Sequence, residues 1–201
     1  MRKLLISLAA GTMLASCSAQ AQNDDGSTAS TDLDRAYFAM GCFWCGEADF
    51  EKIDGVTEVV SGYAGGTTDN PTYDQVTGGN TGHYEAIEVR YDPDVVSYNE
   101  LLNVFWRNVD PLDARGQFCD KGSSYLSAIF PRNAPERDAA AASLDRVEAR
   151  FDQPVATKIV AAPTFYRAEE YHQDYYEKNP IRYKFYRSGC RRDERLEELW
   201  G

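Results

Sequence analysis

Histidine is nearly absent from this chain: two in 201 residues, too few for a His-rich metal protein. Positive charge is also short, with 21 Lys and Arg against 32 Asp and Glu and a formal charge of −11. Nucleic acid and anionic lipid are bound electrostatically by clustered Lys and Arg, so this balance argues against both. Only one C-x-x-C occurs. Zinc sites usually pair their ligands closely, so neither a four-thiolate zinc site nor any other metal is expected. No apolar run is long enough to span a membrane, and no internal repeat is visible.

What is present is aromatic. Nine Phe, thirteen Tyr and three Trp, within 43% hydrophobic residues, are ample for one core and exclude wholesale disorder. The length suits a single domain with an appendage.

The appendage comes first. MRKLLISLAAGTMLASC sets Arg2 and Lys3 ahead of an apolar run from Leu4, the pattern of a secretory signal. Leu14-Ala15-Ser16-Cys17 resembles a bacterial lipoprotein box, in which cleavage precedes a cysteine that then carries lipid. Residues 1–16 are therefore expected to be a signal peptide and Cys17 a lipidation site. The protein would be exported and anchored on the periplasmic side of a bacterial membrane. The rival is ordinary cleavage after Ala19-Gln20-Ala21, which would discard Cys17. Residues 17–34 are small and polar and read as a flexible tether. That leaves 35–201 as the folded domain, expected to be monomeric.

Within it, Arg35–Met40 has strand character and runs into Gly41. Cys42–Ile53 is loosely helical and Gly55 ends it. Val56–Tyr63 is β-rich. His83–Tyr91 alternates, with Glu85, Ile87, Val89 and Tyr91 on one face, so Glu85 shares the apolar face. Ser97 and Glu100 form a capping box for a helix over Tyr98–Asn108. Asp110–Ser123 is a Pro/Gly-containing loop, long enough to suspect function. A strand Tyr125–Phe130, a helix from Pro135 to about Phe151 and a strand Ala156–Val160 follow. A helix Ala168–Lys178, bounded by Asn179-Pro180, precedes a tail that ends in a short helix. The leading order β-α-β-β-α-β predicts an α+β fold. This is a two-layer α/β sandwich with a ferredoxin-like split β-α-β core and a mostly antiparallel sheet.

The chemistry gathers at GCFWCGE, Gly41 to Glu47. A helix beginning at Cys42 points its free amides and positive dipole end at that sulfur, and both favour the thiolate. Cys45 lies one turn further in, where this help fades, so Cys42 is the expected nucleophile. Glu85, desolvated on its apolar face, is expected to keep its proton near neutral pH and to serve as a proton donor. Tyr73 and Tyr125 offer hydroxyls. Taken singly, each has a plainer reading as a buried cysteine, a solvated glutamate or a packing tyrosine. Together they describe a site for a polar, oxygen-bearing substrate with an apolar end.

GCFWCGE, SGYAGGTTDNPTYDQVTGGNTGHYEAIEVRYDP, ELLNVFWRNVDP and FYRAEEYHQDYYEKNP, in this order, resemble the A-type peptide methionine sulfoxide reductases from Tyr37 to about Tyr186. The resemblance implies an α/β sandwich with a split βαβ core and reduction of methionine (S)-sulfoxide, free and in oxidised proteins. It implies Cys42 as nucleophile, with Phe43 and Trp44 housing the substrate methyl group. Glu85 would protonate the sulfoxide oxygen, and Tyr73 and Tyr125 would hydrogen-bond it. Asp120 and His172 lie in family motifs near the site. Cys42 would become a sulfenic acid, a second thiol would close a disulfide, and a thioredoxin-like reductant would reopen it. No cofactor is called for.

Two departures stand out. Leu126 occupies a position where the family commonly has Arg, and the Gly-rich, Cys-bearing tail of well-known members is absent. Cys190 is then the first candidate for the resolving cysteine, Cys119 the second and Cys45 the third. An exported thiol-disulfide oxidoreductase working through Cys42 and Cys45 is the alternative function.

Overall fold

A computed structural model of the chain describes residues 33–161 and 164–201, all within the unit Thr31–Gly201. The expected signal peptide, Cys17 and most of the tether lie outside the described residues.

Alternation makes Asp34–Met40 a strand, β1: Ala36, Phe38 and Met40 face one way, Tyr37 and Ala39 the other. Gly41 then turns the chain at φ +81°, a left-handed conformation that a Cβ disfavours. A Cβ there would also lie 2.6 Å from Gln117 Cβ. Helix α1 (Phe43–Phe50) and strand β2 (Val56–Ala64) follow. A short helix α2 (Tyr73–Thr77) is started by a Thr72–Gln75 capping box. Next come β3 (Tyr84–Tyr91) and α3 (Tyr98–Arg107), whose Ser97–Glu100 capping box is formed as expected. The long loop contains a small hairpin, β4 (Gly116–Gln117) and β5 (Asp120–Lys121). Beyond it lie β6 (Ser127–Ile129), α4 (Ala134–Glu148), β7 (Lys158–Ile159), β8 (Tyr166–Arg167), α5 (Tyr175–Lys178), α6 (Pro180–Gly189) and α7 (Arg192–Trp200).

The main sheet runs β7-β6-β1-β3-β2-β8. Strand β3 lies between β1 and β2 and is antiparallel to both, and β6 is antiparallel to β1. The four central strands thus carry the ferredoxin-like split expected from the element order. One pair, β6 with β7, is parallel.

The helices cover one face of the sheet. Phe38, Ile87, Val89 and Ile129 pack there against Phe43 and Phe50 of α1 and Leu101, Leu102 and Phe105 of α3. The second face has its own small core around Ala39, Ala64, Ala86, Ala128 and Phe130. Strand β3 is therefore enclosed on both sides. Even Glu88 is buried, accepting hydrogen bonds from the Tyr37 hydroxyl (2.7 Å) and Arg90 Nε (2.8 Å).

The segment after Ala168 differs from the single helix expected over Ala168–Lys178. Asp174 takes a left-handed φ of +50°, which splits the run into a 3-10 turn, Glu170–His172, and the short α5. The run ends at Lys178 with Asn179 as its cap, as expected, and Pro180 then opens α6, where at the first helical position its missing N–H leaves nothing unpaired. Tyr125 closes a 3-10 turn, Ser123–Tyr125, ahead of β6 instead of starting the strand. No helix among the described residues is long and apolar enough to cross a membrane.

Candidate active site

The Gly41 turn sets Cys42 at the N-cap of α1, where β1 ends. Beside it lies a cavity of about 60 Å³ lined by Cys42, Phe43, Trp44, Tyr73, Glu85, Asp120, Tyr125 and Tyr186. Seven of these were singled out in the sequence, and five separate elements or turns bring them together. Tyr186 was not: it sits on α6 in a stretch read only as tail. His172 stands behind the cavity rather than in it. Its Nδ1 accepts the Trp44 indole N–H at 3.1 Å, and its ring lies 4.8 Å from Phe43 and 4.5 Å from Tyr73. On its other side Trp44 stacks on Tyr175, with centroids 3.6 Å apart. The indole is thus fixed from two directions.

Glu85 is 1% exposed, and burial pushes its carboxyl up to about 8. The Phe43 amide donates to its Oε2 at 3.1 Å and opposes that rise without cancelling it. Glu85 therefore carries a proton at neutral pH. Burial, reinforced by Glu85, also pushes Tyr73 up to about 12 and Tyr125 higher still. Both remain phenols and hydrogen-bond donors. Asp120, raised by burial, accepts the Tyr186 hydroxyl.

The thiol of Cys42 departs from expectation. The nearest free helical amide, that of Phe43, is given to Glu85, so it does not stabilise a thiolate. Burial pushes Cys42 well above the ordinary thiol value, with its hydrogen bond to Cys45 next in weight. Cys45 moves the other way, to about 7. The Cys42 hydrogen bond outweighs the burial of Cys45, and the guanidinium groups of Arg192 and Arg187 add to the lowering.

Cys119 and Cys190 are joined as a disulfide with a Cα–Cα distance of 4.8 Å, and Cys42 and Cys45 are free. Among the described residues two groups of ligand-type side chains lie close together, Glu47–Glu51–Asp174 and Cys119–Asp120–Cys190. The second holds the disulfide, and neither includes Cys42.

A free thiol sharing a cavity with proton donors and an apolar wall suits reductions in which sulfur takes up an oxygen. On this sheet it defines the class, a thiol-based oxidoreductase. Comparison with known proteins narrows it. The chain belongs to the peptide methionine sulfoxide reductase family, whose sequence model matches residues 34–201, and to its A-type branch. It is 48% identical over 166 residues to peptide methionine sulfoxide reductase MsrA 2 of Rhizobium meliloti, covering 83% of each chain. To the MsrA of Bacillus subtilis it is 48% identical over 168 residues, covering 83% of this chain and 95% of that one. The crystal structure of Mxr1 from Saccharomyces cerevisiae in reduced form matches with a TM-score of 0.70 at 34% identity. That match covers 74% of this chain and 87% of the yeast one.

Proposed function

We propose that this protein reduces methionine (S)-sulfoxide, free and in proteins, to methionine by way of a sulfenic acid at Cys42. The observation that carries this reading is the protonated Glu85 sharing a cavity with the Cys42 thiol, walled by Phe43 and Trp44. A sulfoxide sulfur becomes electrophilic only when its oxygen is protonated or strongly hydrogen-bonded. Glu85, Tyr73 and Tyr125 supply that, while Phe43 and Trp44 receive the S-methyl group. The Cys42 sulfur attacks the substrate sulfur, Glu85 gives its proton to the oxygen, and Glu85 takes the thiol proton in return. The hydroxyl then passes from the substrate sulfur to the Cys42 sulfur as the bond between the two sulfurs breaks, so that methionine leaves, reduced by two electrons, and Cys42 is left as the sulfenic acid. A second thiol closes a disulfide, which a thioredoxin-like dithiol reopens by exchange.

Separated S and R diastereomers of a methionine sulfoxide substrate, assayed with dithiothreitol on wild type and Cys42→Ser, test the reading. The S form should be reduced, the R form left intact and the variant inactive. Reduction of the R form, or activity in the variant, would overturn it. One observation favours the alternative exported disulfide oxidoreductase, namely the lowered Cys45 thiol beside Cys42. Reduction of insulin disulfides by the wild type, with sulfoxide reduction undiminished in Glu85→Gln, would establish that alternative instead.

Export and lipid attachment at Cys17 belong to the same proposal, supported by Arg2, Lys3 and the apolar run behind them. Incorporation of labelled palmitate that is lost in Cys17→Ala would support attachment, and a secreted product lacking Cys17 would refute it.

A further inference from the structure

The sulfur of Cys45 has no part in the oxygen transfer. The residue is 1% exposed and packs with Ala48, Tyr175 and Tyr183, where a plain apolar side chain would serve. A thiol stands there instead, one helical turn from Cys42. The Cys45 amide donates to the Cys42 carbonyl at 3.1 Å, which sets the two residues one turn apart at the start of the same helix. In a helix, residues three apart are about 5 Å apart at Cα, within the roughly 4.4–6.8 Å that a disulfide spans.

Two arginines and the Asp49 carboxylate they share lie near Cys45. Arg192 is buried, its Nε makes no hydrogen bond, and it lies 3.8 Å from Asp49. Arg187 pairs with the same Asp49 at 2.9 Å. Both guanidinium groups favour a thiolate on Cys45, while burial and the Asp49 carboxylate between them oppose it. Such a sulfur attacks well at neutral pH, and it leaves readily when a disulfide is reopened.

The remaining cysteines are placed differently. Cys119 and Cys190 are bonded to each other and line a separate cavity of about 280 Å³ together with Phe118 and Arg191. Neither lines the Cys42 cavity. Their neighbours Asp120 and Tyr186 do, hydrogen-bonded to one another. The disulfide thus ties α6, which carries Tyr186, to the hairpin that carries Asp120.

We propose that Cys45 is the resolving thiol, condensing with the Cys42 sulfenic acid, while Cys119–Cys190 is a cross-link that holds the cavity wall. The proposal rests on the sulfoxide reductase reading. In the condensation the Cys42 S–O bond breaks, the Cys42–Cys45 S–S bond forms, and water leaves. The hydroxide takes a proton from Glu85, and the Cys45 thiol proton replaces it. No outside oxidant enters, because the sulfoxide has already taken two electrons from Cys42. A dithiol reductant then attacks the Cys42 sulfur, expels the Cys45 thiolate, and becomes a disulfide itself.

The test is a single turnover of fully reduced full-length protein with methionine (S)-sulfoxide and no reductant, followed by tryptic mapping. Peptide Ala36–Lys52 contains both sulfurs. It should lose two hydrogens in the wild type and in the Cys119→Ser/Cys190→Ser double variant. Cys45→Ser and Cys45→Ala should yield one equivalent of methionine, accumulate dimedone-reactive sulfenic acid at Cys42, and lose ~10-fold or more in turnover with a thioredoxin-type dithiol. A Cys42–Cys190 or Cys42–Cys119 cross-link in the wild type, or wild-type turnover in Cys45→Ser, overturns the assignment and leaves the reductase reading intact. Failure of the wild type to form methionine overturns that reading itself.

Discussion

The backbone amide of Phe43 donates to Glu85 Oε2 at 3.1 Å, so the helix that presents Cys42 also positions the Glu85 carboxyl. Burial keeps that acid protonated until about pH 8. The rate of methionine formation in single turnovers should therefore hold below pH 8 and fall as Glu85 ionises above it. Glu85→Gln keeps the shape and the Phe43 contact but has no proton to give. It should lose roughly 10²–10⁴-fold in rate together with the alkaline limb, as expected for removal of a general acid. An alkaline limb that persists in Glu85→Gln would assign it to another group.

His172 acts on the cavity through Trp44. The indole N–H only donates, so Nδ1 must accept, and the His172 proton sits on Nε2. Burial lowers His172 below the ordinary imidazole range, which keeps it neutral and able to accept. His172→Phe retains the aromatic contacts and removes the acceptor. The expected result is a KM raised about 3- to 10-fold, the size of one lost hydrogen bond, with kcat changed less. Steady-state kinetics over several substrate lengths would show the split, and a fall in kcat with KM unmoved would count against a positioning role.

The sequence made some of this legible and hid the rest for identifiable reasons. The alternation of His83–Tyr91 put Glu85 on the buried face, and the Ser97–Glu100 box marked the start of α3, because both are local patterns. The raised Cys42 thiol was not legible because it comes first from burial, and Glu85 and Tyr186, which also act on it, are brought to Cys42 only by the fold. The break at Asp174 was invisible for a similar reason. A left-handed non-glycine residue is held by what packs around it, here the Tyr175 ring on Trp44. Strands β4, β5 and β8 have two residues each, too few for any period to show. Tyr186 reaches the cavity only because α6 folds back over α1, a long-range contact that the tail does not announce.

Tyr186 tests whether that contact matters to the nucleophile. Its hydroxyl donates to Asp120 and also favours the anion of Cys42. Tyr186→Phe removes both effects at little cost in volume. The Cys42 thiol should rise further, so alkylation by iodoacetamide at pH 8 should slow about 3- to 10-fold, in line with the smaller thiolate fraction. Intact-mass kinetics on the Cys45→Ala background would isolate the Cys42 adduct. Alkylation as fast as in the parent would show that the hydroxyl serves Asp120 alone.

Glu47 predicts a gain in stability without a change in the cavity. It is 0% exposed, and neither carboxylate oxygen has a hydrogen-bond partner among the described residues. Burial first, then the charges of Glu51 and Asp174, push it up to about 7, while the Asp174 and Tyr175 amides pull it down. In the unfolded chain the same carboxyl ionises near 4.5. Between these values the folded protein holds a proton that the unfolded chain has released, so stability falls as pH rises through that window. Above pH 7 the penalty is complete, on the order of 1–3 kcal/mol after allowance for relaxation around the site. Glu47→Gln cannot ionise and keeps nearly the same volume. Its urea midpoint should therefore exceed that of the wild type at pH 8 and approach it at pH 4. Equal midpoints at pH 8 would mean that Glu47 finds a partner the static geometry does not supply.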